Sequence, residues 1–217
     1  MDEELQKNVL KTGTSILGIV CKDGIVMAAD RKVTAGNLVV NKDYEKVMKI
    51  NDYLVMSWTG MVSDAQLLKK VISAELKLKE LRTKERPTIK EAANLIGMLT
   101  YRNIRQFSTI PSIVGSLVAG FNEDGTFELY SVEPAGSANK VKDYDANFSS
   151  GMPFILGILE KEHKKDLSLK EGTALAVSCI KASSQRDSGS GHGIDIYLVN
   201  KDGIRKEVEQ TAETIYK

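Results

Sequence analysis

Few of the usual catalytic sets are present in this chain. Its only histidines are His163, in the charged run EKEHKKD, and His192, in the glycine-rich tract SGSGHG. No HExxH, CxxC or Walker lysine motif occurs, so the common zinc, thiol-redox and nucleotide machineries have no foothold. SGSGHG resembles a phosphate loop in its glycines but lacks the GK[ST] that would reach the phosphates. A serine hydrolase using His192 as base would need a Gly-x-Ser-x-Gly elbow, and none exists. His163 reads as a solvated surface residue among its charged neighbours. Cys21 and Cys179 lie far apart in apolar runs and read as small core residues, with no disulfide framework or metal site. What remains is Gly13-Thr14 at the start of an apolar run, Asp30 ending the next one, Lys46 beginning a third, and Arg186-Asp187-Ser188-Gly189-Ser190-Gly191 beyond a helical segment.

Composition narrows the partners. The 217 residues suit one domain with a continuous core, and 30 basic against 29 acidic residues give a net charge of +1. That balance supplies no electrostatic footprint for nucleic acid. No stretch approaches the roughly 18 uninterrupted apolar residues of a membrane span. Residues 1–13, MDEELQKNVLKTG, lack the basic start and apolar stretch of a secretion signal. They read either as a frayed terminus or as a removable prosegment ahead of a single domain over 14–217.

The elements that must position these residues follow from periodicity. TSILGIVC and IVMAAD flank Lys22-Asp23-Gly24, a hairpin of strands buried on both faces. Lys46 to Ile50 and Leu54 to Thr59 form another hairpin around Asn51-Asp52-Tyr53. From Ser63-Asp64 the period lengthens: Leu67, Leu68, Val71, Ile72, Ala74, Leu78 and Leu81 mark the apolar stripe of a long helix. Pro87 interrupts it, and Thr88 with Glu91 caps a second helix through Ile89, Ala92, Ala93, Ile96 and Leu99. Strands return over Ile113 to Phe121, Phe127 to Val132 and Lys140 to Tyr144. A short helix follows Pro153, and Ser168 with Glu171 caps a longer one through Ile180. A hairpin of Ile194 to Val199 with Gly203 to Arg205, then a short helix from Glu207, completes the chain. Blocks of strands separated by helix pairs predict an α+β fold with two antiparallel sheets stacked between helix pairs, a four-layer α/β/β/α sandwich.

With those elements in place, GTSILGIVCKDGIVMAADRKVTAGN at 13–37, WTGMVSDAQLL at 58–68 and QRDSGSG at 185–191 resemble the catalytic β-subunit of the proteasome, of the archaeal type, among the N-terminal-nucleophile hydrolases. The resemblance covers nearly the whole chain from Thr14. It implies a threonine endopeptidase made as a precursor and freed by self-cleavage at Gly13-Thr14. A free α-amine titrates at about 7.7 to 8.0, so the new terminus could accept a proton near neutral pH without a histidine. Glycine at 13 would let the hydroxyl reach the preceding carbonyl. By the same resemblance, Lys46 is the lysine beside the nucleophile, Asp30 its carboxylate partner, and Gly60 supplies the oxyanion N–H. Ser150, Asp187 and Ser190 hold the amine and its proton-shuttling water.

Val33, Thr34, Tyr44, Met48, Trp58 and Val62 would contact substrate, forming an apolar wall for the residue before the cleaved bond. Trp58 either shortens that pocket, favouring smaller apolar residues, or is an ordinary core tryptophan. No metal or cofactor is implied. The implied partners are proteasome α-subunits, other β-subunits in seven-membered rings, and indirectly a regulatory ATPase feeding unfolded polypeptide, all in the cytoplasm. One departure stands out: Ser15 and Ile16 follow Thr14 where the family is usually threonine-rich. Two rivals are an unprocessed, non-catalytic ring subunit of the same fold and a terminal-nucleophile amidohydrolase acting on small amides.

Overall fold

In the computed structural model of the chain, residues 13–108 and 112–211 are described. All of the expected prosegment except Gly13 lies outside them. One sheet has the order β10-β1-β2-β11-β12, built from β10 (Tyr144–Asp145), β1 (Ile16–Cys21), β2 (Gly24–Asp30), β11 (Gly193–Asn200) and β12 (Gly203–Thr211). The other has the order β5-β6-β7-β8-β9, from β5 (Val47–Lys49), β6 (Leu54–Gly60), β7 (Val114–Phe121), β8 (Phe127–Val132) and β9 (Ala138–Val141). Every pairing in both sheets is antiparallel. Helices α1 (Val62–Thr83) and α2 (Ile89–Arg105) cover the second sheet, and α3 (Met152–Glu162) and α4 (Leu169–Arg186) cover the first.

Three apolar layers bind these four structural layers, and the strands serve two of them at once because successive side chains point to opposite faces. In β2, Ile25, Met27 and Ala29 face the other sheet, while Val26 and Ala28 face α3 and α4. In β6, Val55 faces the first sheet, while Leu54, Met56 and Trp58 face α1 and α2. Double-sided burial therefore explains the unbroken apolar runs of the sequence. Both expected capping boxes form: Thr88 with Glu91 starts α2, and Ser168 with Glu171 starts α4.

The structure departs from expectation in five places, the first being the expected strand Lys140 to Tyr144, which divides into β9 of one sheet and β10 of the other because the chain crosses between sheets there. No helix begins at Glu207; β12 runs through Thr211 instead. The charged run Arg205-Lys206-Glu207 favours helix locally, but pairing with β11 and the contacts of Lys206 with Glu45, Asp195 and Glu209 override that preference. Charge on an outer strand also discourages further pairing. A small hairpin, β3 (Val33–Ala35) with β4 (Leu38–Asn41), turns at Gly36-Asn37 and was not anticipated. On α1 the buried stripe is Ala65, Leu68, Ile72 and Leu76, whereas Leu67, Leu78 and Leu81 are exposed. Two apolar stripes share this helix, and only packing decides which is covered. His163 is half-buried, with its ring edge-on to Tyr144 at a centroid distance of 4.8 Å, rather than fully solvated.

Candidate active site

The elements converge at one mouth of the inter-sheet layer. Thr14 precedes β1, Asp30 ends β2, Lys46 precedes β5 and Gly60 ends β6; Ser150 precedes α3, and Asp187 and Ser190 follow α4. Four strand or helix ends from the first sheet's side thus meet two from the second. Thr14 Oγ1 donates to the Gly13 carbonyl oxygen at 2.6 Å. Lys46 Nζ reaches Thr14 Oγ1 at 3.2 Å, the Gly13 carbonyl at 3.3 Å and Asp30 Oδ1 at 2.7 Å. Lys46 and Asp30 are both buried.

Asp30 is anchored on all sides. Its Oδ1 also accepts from Ser15 N–H at 2.8 Å, and its Oδ2 accepts from Lys32 N–H at 3.0 Å and Gly191 N–H at 2.9 Å. A carboxylate so surrounded by donors is an immobile counterion. Burial pushes the Lys46 ammonium below the ordinary lysine range, and the charge and hydrogen bond of Asp30 pull it back upward without cancelling that effect. Lys46 therefore stands as a buried cation, paired with Asp30, beside the Thr14 hydroxyl.

A second cluster faces the Thr14 nitrogen. Thr14 N–H donates to Ser150 Oγ at 2.9 Å, and the Ser150 hydroxyl lies 2.6 Å from Asp187 Oδ2 and 3.0 Å from the Thr14 carbonyl oxygen. Ser190 Oγ donates to the same Asp187 Oδ2 at 2.5 Å, and Gly189 N–H donates to Oδ1 at 3.0 Å. The C-terminal end of α4 aims this carboxylate: Asp187 is its cap residue, and the Asp187 N–H donates to the Ser183 carbonyl.

Two glycines are sterically required. A Cβ on Gly13 would lie 2.2 Å from the Gly189 Cα, so any side chain there displaces the peptide that Thr14 and Lys46 contact. Gly60 adopts φ +114, and a Cβ there would lie 2.1 Å from the Ile113 carbonyl oxygen.

Of the expected substrate residues, Val33, Tyr44, Trp58 and Val62 line one pocket together with Gly13, Thr14, Lys46 and Gly60. Its volume is about 10 Å³, close to the least that holds one water. Trp58 is only 3% exposed and belongs to the core under α1, so it serves both as core residue and as pocket floor. Met48 and Thr34 do not line this pocket. Met48 packs toward α1, with Lys69 Nζ 3.1 Å from its sulfur, because it points to the opposite face of β5 from Val47. Thr34 Oγ1 accepts from Gly13 N–H at 3.0 Å and so holds the residue ahead of Thr14.

Sequence reasoning missed three contributors. Lys32 Nζ ties the Ser188 carbonyl at 2.9 Å, while the Ser15 hydroxyl meets those of both Ser190 and Ser183. Ser15 was visible as the neighbour of Thr14; Ser183 carried no local signal. Both cysteine thiols are pushed up to about 12, chiefly by burial, which leaves them unreactive. Among the described residues no cluster of metal-ligating side chains occurs, and no helix is long and apolar enough to cross a membrane.

The chain as a whole has counterparts among known proteins. A family model described as proteasome subunit matches residues 10–199. The chain is 35% identical over 209 residues to a proteasome subunit beta of Methanococcus aeolicus, covering 94% of each. It is 38% identical over 193 residues to the Nanoarchaeum equitans proteasome subunit beta, covering 89% of this chain and 96% of that one. It is likewise 38% identical over 216 residues to the Archaeoglobus profundus proteasome subunit beta, covering 98% of this chain and 97% of that one. With the α+β sandwich and near end-to-end matches in agreement, the chain belongs to the proteasome subunit family, among its β-subunits.

Proposed function

We propose that this chain is a catalytic subunit of a proteasome core particle, a threonine endopeptidase that matures by cleaving its own Gly13-Thr14 bond. The observation that carries this reading is the placement of Thr14: its hydroxyl lies between the Gly13 carbonyl and Lys46, while its N–H donates to Ser150, which is itself bonded to Asp187.

In the intact chain, Thr14 Oγ1 attacks the Gly13 carbonyl that it already contacts. The Lys46 charge favours the deprotonated oxygen, and Asp30 holds Lys46 in place. An N-to-O acyl shift gives an ester, and water releases residues 1–13. The freed α-amine then accepts the hydroxyl proton during attack on a substrate and passes it to the leaving amine, so one residue is both nucleophile and base. The Gly60 N–H stabilises the oxyanion, and a donor in that role contributes about 3 kcal/mol in other acyl-transfer sites. Lys46, Asp30, Ser150, Asp187 and Ser190 fill the remaining roles without metal or cofactor.

The confined pocket with Trp58 as its floor supports cleavage after small apolar residues. Val33, Tyr44 and Val62 form its walls, Thr34 pairs with the chain entering the site, and Met48 supports it from the core side. The assembly that fits such a protease is a seven-membered β ring stacked with α-subunit rings, fed unfolded polypeptide by a regulatory ATPase in the cytoplasm. Enclosure would restrain an otherwise unselective activity.

Co-expression with the α-subunit partner followed by intact-mass measurement tests the proposal. The expected mass corresponds to loss of residues 1–13 together with peptidase activity. Retention of Met1 in an assembled, inactive particle would overturn it, and turnover of small amides without peptide cleavage would reject a protease.

A further inference from the structure

Behind Asp187 the hydroxyl chain continues inward. Ser190 Oγ lies 2.7 Å from Ser15 Oγ, Ser15 Oγ lies 2.8 Å from Ser183 Oγ, and Ser183 Oγ lies 3.0 Å from the Ile180 carbonyl oxygen. Ser15, Ser183 and Ser190 are all fully buried. Counting protons along this path exposes a shortfall. The contacts Ile180–Ser183, Ser183–Ser15, Ser15–Ser190 and Ser190–Asp187 each need one proton, and the three hydroxyls supply three. With Asp187 ionised, one short oxygen–oxygen contact has no proton between its atoms. If Asp187 Oδ2 carries a proton turned toward Ser190, every contact is filled, head to tail, ending on the Ile180 carbonyl. Ser150 can then still donate to Oδ2.

We propose that Ser15, backed by Ser183, is a positioning residue of the reaction: it completes a hydroxyl chain in which Asp187 takes and returns the proton of the Thr14 amine. The inference rests on Thr14 being the nucleophile. In the loading step one N–H bond of the Thr14 ammonium breaks as Ser150 Oγ gains that proton, and the proton already on Ser150 passes to Asp187 Oδ2. The Oδ2 proton then swings to Ser190 while the Ser190 and Ser15 hydroxyls turn inward. Reversal restores every bond, and no electron is transferred. Loading leaves the amine free to take the proton of the attacking hydroxyl; the ammonium so formed protonates the leaving group, and unloading then restores the resting ammonium. Without Ser15, a Ser190 hydroxyl turned away from Asp187 finds no acceptor in a buried site, so the loaded state becomes costly.

Assembled particles carrying Ser15→Ala are expected to lose about tenfold in kcat with KM unchanged, the scale of one buried hydrogen bond. The acid limb of the kcat–pH profile is expected to move to lower pH, because the chain that must be empty to accept a proton now fills only at higher proton activity. Ser15→Thr keeps the hydroxyl and should restore both, whereas Ser15→Val should behave like Ser15→Ala. On the unsubstituted particle, kcat against deuterium fraction should curve, since several protons move together. Wild-type kcat and an unmoved limb in Ser15→Ala, a threonine variant no better than valine, or a straight deuterium plot would each overturn the relay. Thr14→Ala is the control: persistent turnover there rejects the nucleophile itself, while loss there beside a normal Ser15→Ala rejects only the relay.

Discussion

At Thr14 the geometry asks two things of one residue, and substitution separates them. Thr14→Ala removes the oxygen proposed to attack but little core contact, so peptidase activity and cleavage at Gly13-Thr14 should both vanish while the subunit folds; measurable turnover would refute the assignment. Gly13→Ala should act differently. Its Cβ would collide with the Gly189 Cα, so processing should slow at least about tenfold, read by intact mass over time, while material that does mature has ordinary kcat. Equal processing rates would mean that the Gly189 contact does not align the peptide. Trp58→Ala should open the pocket of about 10 Å³ and shift cleavage from alanine or valine toward phenylalanine or tyrosine in a fluorogenic peptide panel. An unchanged preference would relegate Trp58 to the core alone.

Among the elements, the segment between β4 and β5 carries the greatest functional consequence, since it delivers Lys46. It is held by charge. Arg31 pairs with Asp43 and with buried Asp195, and Lys206 Nζ holds Glu45 Oε1 at 2.9 Å, beside the Tyr197 hydroxyl at 2.8 Å. For Glu45, burial works against ionisation, but the hydrogen bonds of Lys206 and Tyr197 and the charges of Lys206 and Arg31 prevail and hold the carboxyl below its usual range. The folded state therefore binds this proton less readily than the unfolded chain. The associated stabilisation is full above the unfolded value of about 4.3 and disappears as pH falls through the folded value. Glu45→Gln should be less stable than wild type at pH 7 and should lose less on acidification, as read by denaturant midpoints at the two pH values; equal losses would exclude Glu45 as a source of acid sensitivity. On α1, Leu68→Ala should cost about 2–5 kcal/mol and the exposed Leu67→Ala far less in the isolated subunit.

For the whole molecule, function depends on the spacing of two sheets. Thr14, Asp30, Asp187 and Ser190 belong to the first sheet and its helices, while Lys46, Trp58 and Gly60 belong to the second. The middle apolar layer, with Met27, Val55, Leu117 and Leu129, sets the distance between them. Leu117→Ala and Leu159→Ala should each destabilise by about 2–5 kcal/mol, but only the former loosens the sheet-to-sheet contact and should depress kcat beyond its effect on folded fraction. Matching activity losses in folded samples of both would show that the site tolerates changes in sheet spacing.

The sequence alone determined what depends on neighbours along the chain. The turn at Lys22-Asp23-Gly24, the capping boxes at Thr88 and Ser168, and the double-sided apolar runs of β2 and β6 are legible because each is a local or short-period property. The candidates Thr14, Asp30, Lys46, Gly60, Ser150, Asp187 and Ser190 were legible too, through motif resemblance. Tertiary structure decided everything that required two distant segments to meet. It chose between the two stripes of α1, extended β12 where local preference favoured helix, and turned Met48 away from the pocket that Trp58 closes. It also brought Ser183 to Ser15 across 168 positions of chain. Propensity and periodicity act over a few residues, whereas packing and pairing choose among the faces and partners that those local rules leave equally available.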